Sequence, residues 1–262
     1  MRIVTCVNFQ KSRGPDLCTI QWKTIQQIYN MKSIIVTGAS GNMGQAVVQR
    51  FAQDGHKVYA VLGLGENSRL FSESVHTANI DTQFLNLTDE TVSDGYIKGI
   101  IAKDPAIETA VCLVGGWQTG TLSETTGYEL DKMIKLNFST AFNIVKPLME
   151  YFERQGRGQF VFVGARPAIN PAEAKSQVAY ALSKSLVLRL AEIINDQGKF
   201  KNIRAGVIIP SVLDTPQNRA AMPDADTSDW VSPETAADAI AFLLGDTGAA
   251  LRETVIKVYN QA

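Results

Sequence analysis

The feature that most constrains the fold of this chain is a glycine-rich turn, Thr37-Gly38-Ala39-Ser40-Gly41-Asn42-Met43-Gly44. It follows the apolar run Ile34–Thr37 and precedes the amphipathic stretch Gln45–Gln53, so it joins a strand to a helix. Its three glycines permit, in order, a tight turn, a close approach of the backbone to a ligand, and the packing of helix on strand. A merely structural turn rarely needs all three. The sequence therefore predicts that a pyrophosphate binds to backbone N–H groups at the start of this helix.

Beyond the turn, short apolar runs alternate with longer helical stretches, which is typical of a parallel sheet built from βαβ units. The pattern predicts seven strands: Ile34–Thr37, Val58–Leu62, Gln83–Leu87, Thr109–Val114, Phe160–Val163, Ile203–Ile209 and Val255–Val258. It predicts helices over Gln45–Gln53, Glu90–Ala102, Tyr128–Lys135, Asn137–Arg154, a stretch around Tyr180 that ends near Asn195, and Pro233–Leu244, with a loop over residues 211–232. The expected fold is α/β, a doubly wound Rossmann fold with a parallel seven-stranded sheet and helices on both faces.

The first thirty residues differ in character from the rest of the chain. They carry four basic residues and one acid, and they show no regular hydrophobic period. We expect residues 1–30 to be an N-terminal extension that is disordered or arises from an upstream start codon, with an organelle-targeting peptide as the alternative. Residues 31–262 are expected to form one domain.

Charge and cysteine content exclude several classes of function. Lys and Arg number 25 against 26 Asp and Glu, so no net field attracts nucleic acid or an anionic membrane. No apolar run approaches the ~18 residues of a membrane span. The three cysteines form neither a disulfide framework nor a spaced Cys/His set for zinc, which predicts a cytoplasmic protein without a metal site. The expected partner is a small-molecule substrate.

Tyr180 and Lys184 are four residues apart and share one face of a predicted helix. An ammonium beside a phenol favours the phenolate, so the pair is expected to lower the tyrosine pKa from its usual value of about 10. On most helices such a pair simply lies on the solvent-exposed surface. Downstream of a nucleotide-binding turn it predicts reductive chemistry.

Four features occur in one order along the chain: the glycine turn, Asn137 in a long helix, the Tyr180/Lys184 pair, and Pro210 to Thr215 after the sixth strand. Together they resemble the short-chain dehydrogenase/reductase family, over essentially Met31 to the C-terminus. The resemblance implies an NAD(P)H-dependent oxidoreductase in which Tyr180 is the general acid. Lys184 would lower its pKa and hold the nicotinamide ribose, and Asn137 would support a water that relays protons.

The same resemblance implies that NAD(H) or NADP(H) is bound by one set of residues: Gly38, Ser40, Gly41, Asn42, Met43, Gly44, Asn86, Gly115, Gly116, Tyr180, Lys184, Pro210, Val212 and Thr215. The end of the second strand leaves the choice of nicotinamide open. Gly63 stands where an acid would bind the ribose of NAD, and the nearest cation, Arg69, comes several residues later. A homodimer or homotetramer, formed by the helices around Asn137 and Tyr180, is also implied.

The chain departs from the family pattern at two points. The second glycine of the turn comes one residue earlier than in most members. In addition, the catalytic serine after the fifth strand is absent: Phe162–Pro167 contains no hydroxyl, and Ala165 lies within it. Ser176 lies too close to Tyr180 to replace that serine. Because a carbonyl reductase uses the serine to polarise the substrate oxygen, ordinary ketone or alcohol chemistry is not favoured.

One branch of the family, the dihydropteridine reductases, lacks this serine, and the segments Val114–Trp117 and Leu213–Trp230 also resemble it. The resemblance implies reduction of a quinonoid pterin, with Trp117 and Ala165 beside the substrate. Trp117 either stacks on a flat heterocycle or plugs the end of a strand. Two alternatives stay open: a reductase of another small carbonyl or quinone, and a nucleotide-binding sensor that has lost catalysis.

Overall fold

A computed structural model of the chain describes residues 31–75 and 77–261, and the residues from Lys32 onward form one compact unit. The predictions made for residues 1–30 lie outside the described residues. The strands are β1 (Ser33–Thr37), β2 (Lys57–Leu62), β3 (Ile80–Phe84), β4 (Ile107–Cys112), β5 (Gly158–Val163), β6 (Ile203–Pro210) and β7 (Val255–Val258). All pair in parallel, in the order β3-β2-β1-β4-β5-β6-β7.

The α-helices are α1 (Asn42–Gln53), α2 (Glu66–Ser74), α3 (Glu90–Lys103), α4 (Gly127–Ile134), α5 (Thr140–Gln155), α6 (Pro171–Ala174), α7 (Val178–Gly198), α8 (Pro216–Ala221) and α9 (Pro233–Leu244). A π-helical turn, Lys135–Ser139, joins α4 to α5. Side chains of α3, α5 and α7 form the core on one face of the sheet, and those of α1, α2 and α9 form the core on the other. The prediction of a doubly wound Rossmann fold is confirmed.

Several predicted boundaries are wrong. The third strand was expected at Gln83–Leu87, but β3 ends at Phe84; at an edge of the sheet its half-buried residues include polar ones, so the apolar signal lay too late in the chain. The predicted loop after β6 contains α8, six residues long and capped by Thr215. The fourth predicted strand was placed two residues too late, because β4 ends at Cys112.

The strand order places the ends of distant segments together. The order reverses between β1 and β4, where Thr37 pairs with Cys112. Because the strands are parallel, the glycine turn after β1 and the segment Val114–Trp117 after β4 leave the same edge of the sheet. This topological switch point is where open α/β sheets bind their ligands.

No helix among the described residues has both the length and the apolar character needed to cross a membrane.

Candidate active site

The glycine turn forms a narrow cradle at the start of α1. Gly38 has a positive φ of 68°, and a Cβ on Gly44 would lie 2.1 Å from the carbonyl oxygen of Gly38. Gly41 is the N-cap of α1 and supplies no side-chain cap, so the N–H groups of the first turn have no capping side chain among the described residues. Such a turn fits the pyrophosphate of a dinucleotide. A hydrogen bond of 2.8 Å between the hydroxyls of Ser40 and Ser68 joins the turn to α2.

Asn137 lies in the π-helical turn and is 1% exposed. Its Oδ1 accepts a hydrogen bond from the Gly116 N–H at 2.7 Å, and its Nδ2 donates to the Gly116 carbonyl at 3.1 Å. Nδ2 also donates to Ser183 Oγ at 2.9 Å. One buried amide therefore joins the segment after β4 to α7, the helix that carries Tyr180. Its role in supporting a water stays a prediction.

Burial controls the protonation of Tyr180 and Lys184. It raises the pKa of Tyr180 to about 12 and lowers the pKa of Lys184 to about 8. Lys184 is 6% exposed, and its Nζ donates to the Val163 carbonyl at 2.9 Å. The pKa of Tyr180 is therefore raised by burial, and the lowering by Lys184 that the sequence predicts is not seen. The phenol is consequently protonated at neutral pH, which is the form a general acid needs.

Gly115 brings the loop after β4 against two of the three catalytic candidates, Asn137 and Lys184. A Cβ at this position would lie 2.9 Å from Asn137 Oδ1 and 3.1 Å from Lys184 Nζ. A Cβ on Gly116 would lie 2.6 Å from Leu136. The two glycines thus allow the backbone to run directly beside Asn137 and Lys184.

Ala165 and Trp117 differ in exposure. Ala165 follows β5 and is 5% exposed, so a buried methyl group occupies the position expected for a serine hydroxyl. Trp117 is 64% exposed, which does not fit a hydrophobic plug. Its indole Nε1 donates to Gln177 Oε1 at 2.6 Å, which places the ring beside the residues that lead into α7.

The remaining cofactor candidates lie at three places: at or after the end of β6, at the glycine turn and after β3. Thr215 Oγ1 caps α8 by accepting from the Asn218 N–H at 3.1 Å, and Asn42 Nδ2 donates to Gln217 Oε1 at 2.7 Å, which joins α8 to the glycine turn. Pro210 ends β6 and Val212 is exposed close by. Met43 has a buried side chain, so its backbone is the part available to a ligand. Asn86 follows β3, where its Oδ1 accepts from the Thr88 hydroxyl at 2.7 Å.

Sequence reasoning missed Gln177 and Ser183. Ser183 Oγ donates to the Tyr180 carbonyl at 2.8 Å while accepting from Asn137. The sequence indicated this residue through its position three residues after Tyr180, about one turn later in the same predicted helix. Gln177 lies three residues before Tyr180, but its partner Trp117 is 60 residues away along the chain, so no local pattern indicated the contact.

The fold, the glycine cradle and the presence of Asn137, Tyr180 and Lys184 together define an NAD(P)H-dependent oxidoreductase. The family model described as short chain dehydrogenase matches residues 32–226, so the chain belongs to the short-chain dehydrogenase family. The cofactor is NAD(H) or NADP(H), and the glycine cradle fits it.

Curated relatives have different named activities. A 3-oxoacyl-(acyl-carrier-protein) reductase of Thermotoga maritima is 26% identical over 239 residues, covering 87% of this chain and 96% of the relative. The dihydropteridine reductase of Dictyostelium discoideum is 30% identical over 206 residues, covering 76% of this chain and 81% of the relative. Among solved structures, ElxO with NADP bound has a TM-score of 0.79 and 18% identity, covering 87% of this chain and 97% of that chain, and supports the fold alone.

Proposed function

We propose that this protein reduces a conjugated heterocycle such as quinonoid dihydropteridine, with Tyr180 as the proton donor. The observation that carries the proposal is the buried methyl group of Ala165 in place of the hydroxyl that would polarise a ketone. A conjugated imine accepts hydride without such polarisation. The 30% identity to a dihydropteridine reductase supports the same substrate class.

The chemistry divides between the cofactor and the chain. The reduced nicotinamide supplies hydride when bound. Tyr180 holds its proton on Oη at neutral pH, because burial raises its pKa to about 12, and gives that proton to the substrate nitrogen as the nitrogen gains electron density. General acid catalysis of this kind contributes typically ~10²–10⁴-fold to the rate.

Lys184 and Asn137 support this transfer. The Lys184 ammonium lies one helical turn after Tyr180 and stabilises the phenolate that forms when the proton leaves. Its Nζ is oriented by the Val163 carbonyl at 2.9 Å. Asn137 holds the segment after β4 in place through both polar groups of Gly116. The presence of Tyr180, Lys184 and Asn137 together argues against a sensor without catalysis.

Trp117 offers an aromatic face that suits a flat substrate. The ring is 64% exposed and lies beside the start of α7. Aromatic rings prefer offset stacking with centroids about 4.5–7 Å apart, which contributes roughly 0.5–1.5 kcal/mol beyond area burial. An acyclic carbonyl compound gains little from such a surface, so the exposed indole favours a heterocycle over an acyl thioester.

A substrate panel tests the proposal. Wild-type enzyme is assayed with NADH and NADPH against quinonoid dihydropteridine, a quinone and an acetoacetyl thioester. We expect the highest kcat/KM with the pterin. A higher value with the thioester would instead support the activity named for the Thermotoga maritima relative, which covers 87% of this chain.

Ala165→Ser is the matched variant for this panel. The added hydroxyl should raise kcat/KM for the thioester and leave the pterin rate nearly unchanged, because only the ketone needs the extra hydrogen bond. An equal effect on kcat/KM for both substrates would contradict the proposal that rests on Ala165.

We further propose that the protein assembles through α5 and α7. Leu182, Leu186 and Ile193 are exposed and share one face of α7, and Phe142 is exposed on α5 with its ring stacked on Phe138. Exposed apolar side chains of this kind favour contact with a second copy of the chain. The cytoplasmic location expected from cysteine usage stays a prediction.

A further inference from the structure

Trp117 is held in one orientation although most of its surface is exposed. Its Nε1 donates to Gln177 Oε1 at 2.6 Å. An exposed indole can otherwise rotate about its two side-chain bonds and present either face or an edge to a ligand. This single hydrogen bond fixes the edge that carries Nε1 and so limits the plane of the ring.

The backbone of the same loop is attached at the same place. The Gly120 N–H donates to the Ser176 carbonyl at 2.8 Å, and the Val178 N–H donates to the Gly120 carbonyl at 3.0 Å. These two bonds lie on either side of Gln177 and form a short parallel bridge. Since Tyr180 lies in the first turn of α7, the position of the indole is connected to the position of the proton donor.

The orientation of the Gln177 amide follows from its other partner. Its Nε2 donates to the Glu173 carbonyl at 3.0 Å, so its Oε1 faces the indole N–H. The Glu173 backbone is held within α6, because its N–H donates to the Asn170 carbonyl at 3.1 Å. Its side chain accepts from Arg166 Nη2 at 2.8 Å and from Asn170 Nδ2 at 2.9 Å. A rotated amide would present a donor to a donor and lose both bonds. The Gln177 amide is therefore oriented so that its Oε1 accepts the hydrogen bond from Trp117 Nε1.

We propose that Gln177 is a positioning residue that sets the plane of Trp117 and thereby the preference of the site for flat substrates over acyclic ones. The inference rests on the proposed function, because it takes the indole face as one wall of the substrate site. Stacking requires two parallel, offset faces, so a rotated ring loses contact with a heterocycle. An acyclic carbonyl compound has no flat face and is indifferent to the rotation.

Kinetics of Gln177→Met test the proposal. Methionine keeps the chain length and removes both amide groups. We expect KM for a flat substrate to rise about three- to tenfold, the equivalent of one net hydrogen bond, with kcat nearly unchanged. KM for an acyclic ketone should stay the same. Gln177→Glu keeps an acceptor for the indole N–H, so its KM for the flat substrate should be closer to that of wild type than to that of Gln177→Met.

Two controls separate positioning from general damage. Gln197→Met removes an amide that donates to Glu153 at the far end of α7, and it should leave both KM values unchanged. Trp117→Phe keeps a ring without an N–H group. In that background Gln177→Met should have no further effect, because a double-mutant cycle reports the coupling of the pair. Additive effects of the two substitutions would overturn the proposal.

A binding measurement keeps this result distinct from the proposed function. With Trp22 and Trp230 replaced by Phe, Trp117 is the remaining tryptophan of the three, and menadione, a flat quinone, is titrated against its fluorescence. Gln177→Met should weaken this quenching about three- to tenfold even if the enzyme fails to turn over a pterin. Unchanged quenching together with unchanged KM would show that Gln177 does not position the ring. Absence of pterin turnover in wild type would contradict the proposed function alone.

Discussion

Burial has opposite consequences for the two titrating residues of the site. It keeps the proton on Tyr180, which a reductase needs, and it makes the charge on Lys184 costly. The residue pattern correctly indicated that the two side chains share a helix. It could not give the sign of the tyrosine shift, because that depends on how completely the surrounding strands and loops exclude water.

The cost of the Lys184 charge predicts a pH-dependent stability. Burial lowers its pKa from 10.5 to about 8, so between these values the unfolded chain binds more protons than the folded one. The cost is fully present below pH 8 and is relieved as the pH rises. Relative to Lys184→Met, the free energy of unfolding of wild type should increase by on the order of 1 kcal/mol between pH 7.5 and 9.5.

Urea unfolding of the cofactor-free proteins at the two pH values checks this prediction. Lys201→Met, at an exposed position, is the matched control and should follow wild type. A difference between wild type and Lys184→Met that does not change with pH would show that Lys184 is not buried as a charge.

At the scale of single elements, the accuracy of the predicted bounds differs from strand to strand, and β7 (Val255–Val258) has the bounds that were predicted. Ile203–Pro210 is buried along nearly its whole length and was predicted within one residue. The edge strand β3 was misplaced, since a strand covered on fewer sides carries no continuous apolar run. The π-helical turn at Asn137 was also missed, because one extra residue in a helical turn leaves no recognisable pattern.

The cradle before α1 gives a prediction for one glycine. A Cβ at position 44 would lie 2.1 Å from the Gly38 carbonyl oxygen and 2.8 Å from Ala39 Cα, both backbone atoms. Gly44→Ala should therefore lower the free energy of unfolding by roughly 1–3 kcal/mol and abolish thermal stabilisation by NADH or NADPH. Both are measured by thermal unfolding with and without cofactor.

Gly99→Ala is the control for that substitution. Gly99 lies in α3, and a Cβ there meets no atom within 4 Å. Alanine should stabilise this helix by roughly 0.5–1 kcal/mol and leave cofactor binding intact. Retained cofactor stabilisation in Gly44→Ala would mean that the turn does not form the pyrophosphate site.

At the scale of the whole molecule, the seven-stranded fold and the family could be predicted because the motifs occur in one order along the chain. The wall formed by Trp117 and Gln177 could not be predicted. It depends on a contact across 60 residues between an exposed ring and the residue that directly precedes α7. The proposed preference for flat substrates depends on this contact, whereas the proposed catalytic residues belong to motifs that the sequence displays.

The apolar face of α5 and α7 predicts the assembly. Wild type should have two or four times the 28.6 kDa mass of one chain by light scattering after size exclusion. Leu182→Glu should reduce that mass, because it places a charge in the contact. Phe200→Ser, at a position 90% exposed in the turn after α7, should leave the mass unchanged. A monomeric wild type would rule out this interface.

The central claim is that Tyr180 protonates a conjugated heterocycle without help from a serine. The most direct measurement is kcat for quinonoid dihydropteridine in wild type and in Tyr180→Phe at saturating cofactor, with thermal stabilisation by the cofactor as the check on binding. We expect kcat to fall ~10²–10⁴-fold while cofactor stabilisation is retained, because only the proton on Oη is lost. An unchanged kcat in Tyr180→Phe would contradict the account, and so would a wild-type enzyme that binds cofactor but does not reduce the pterin.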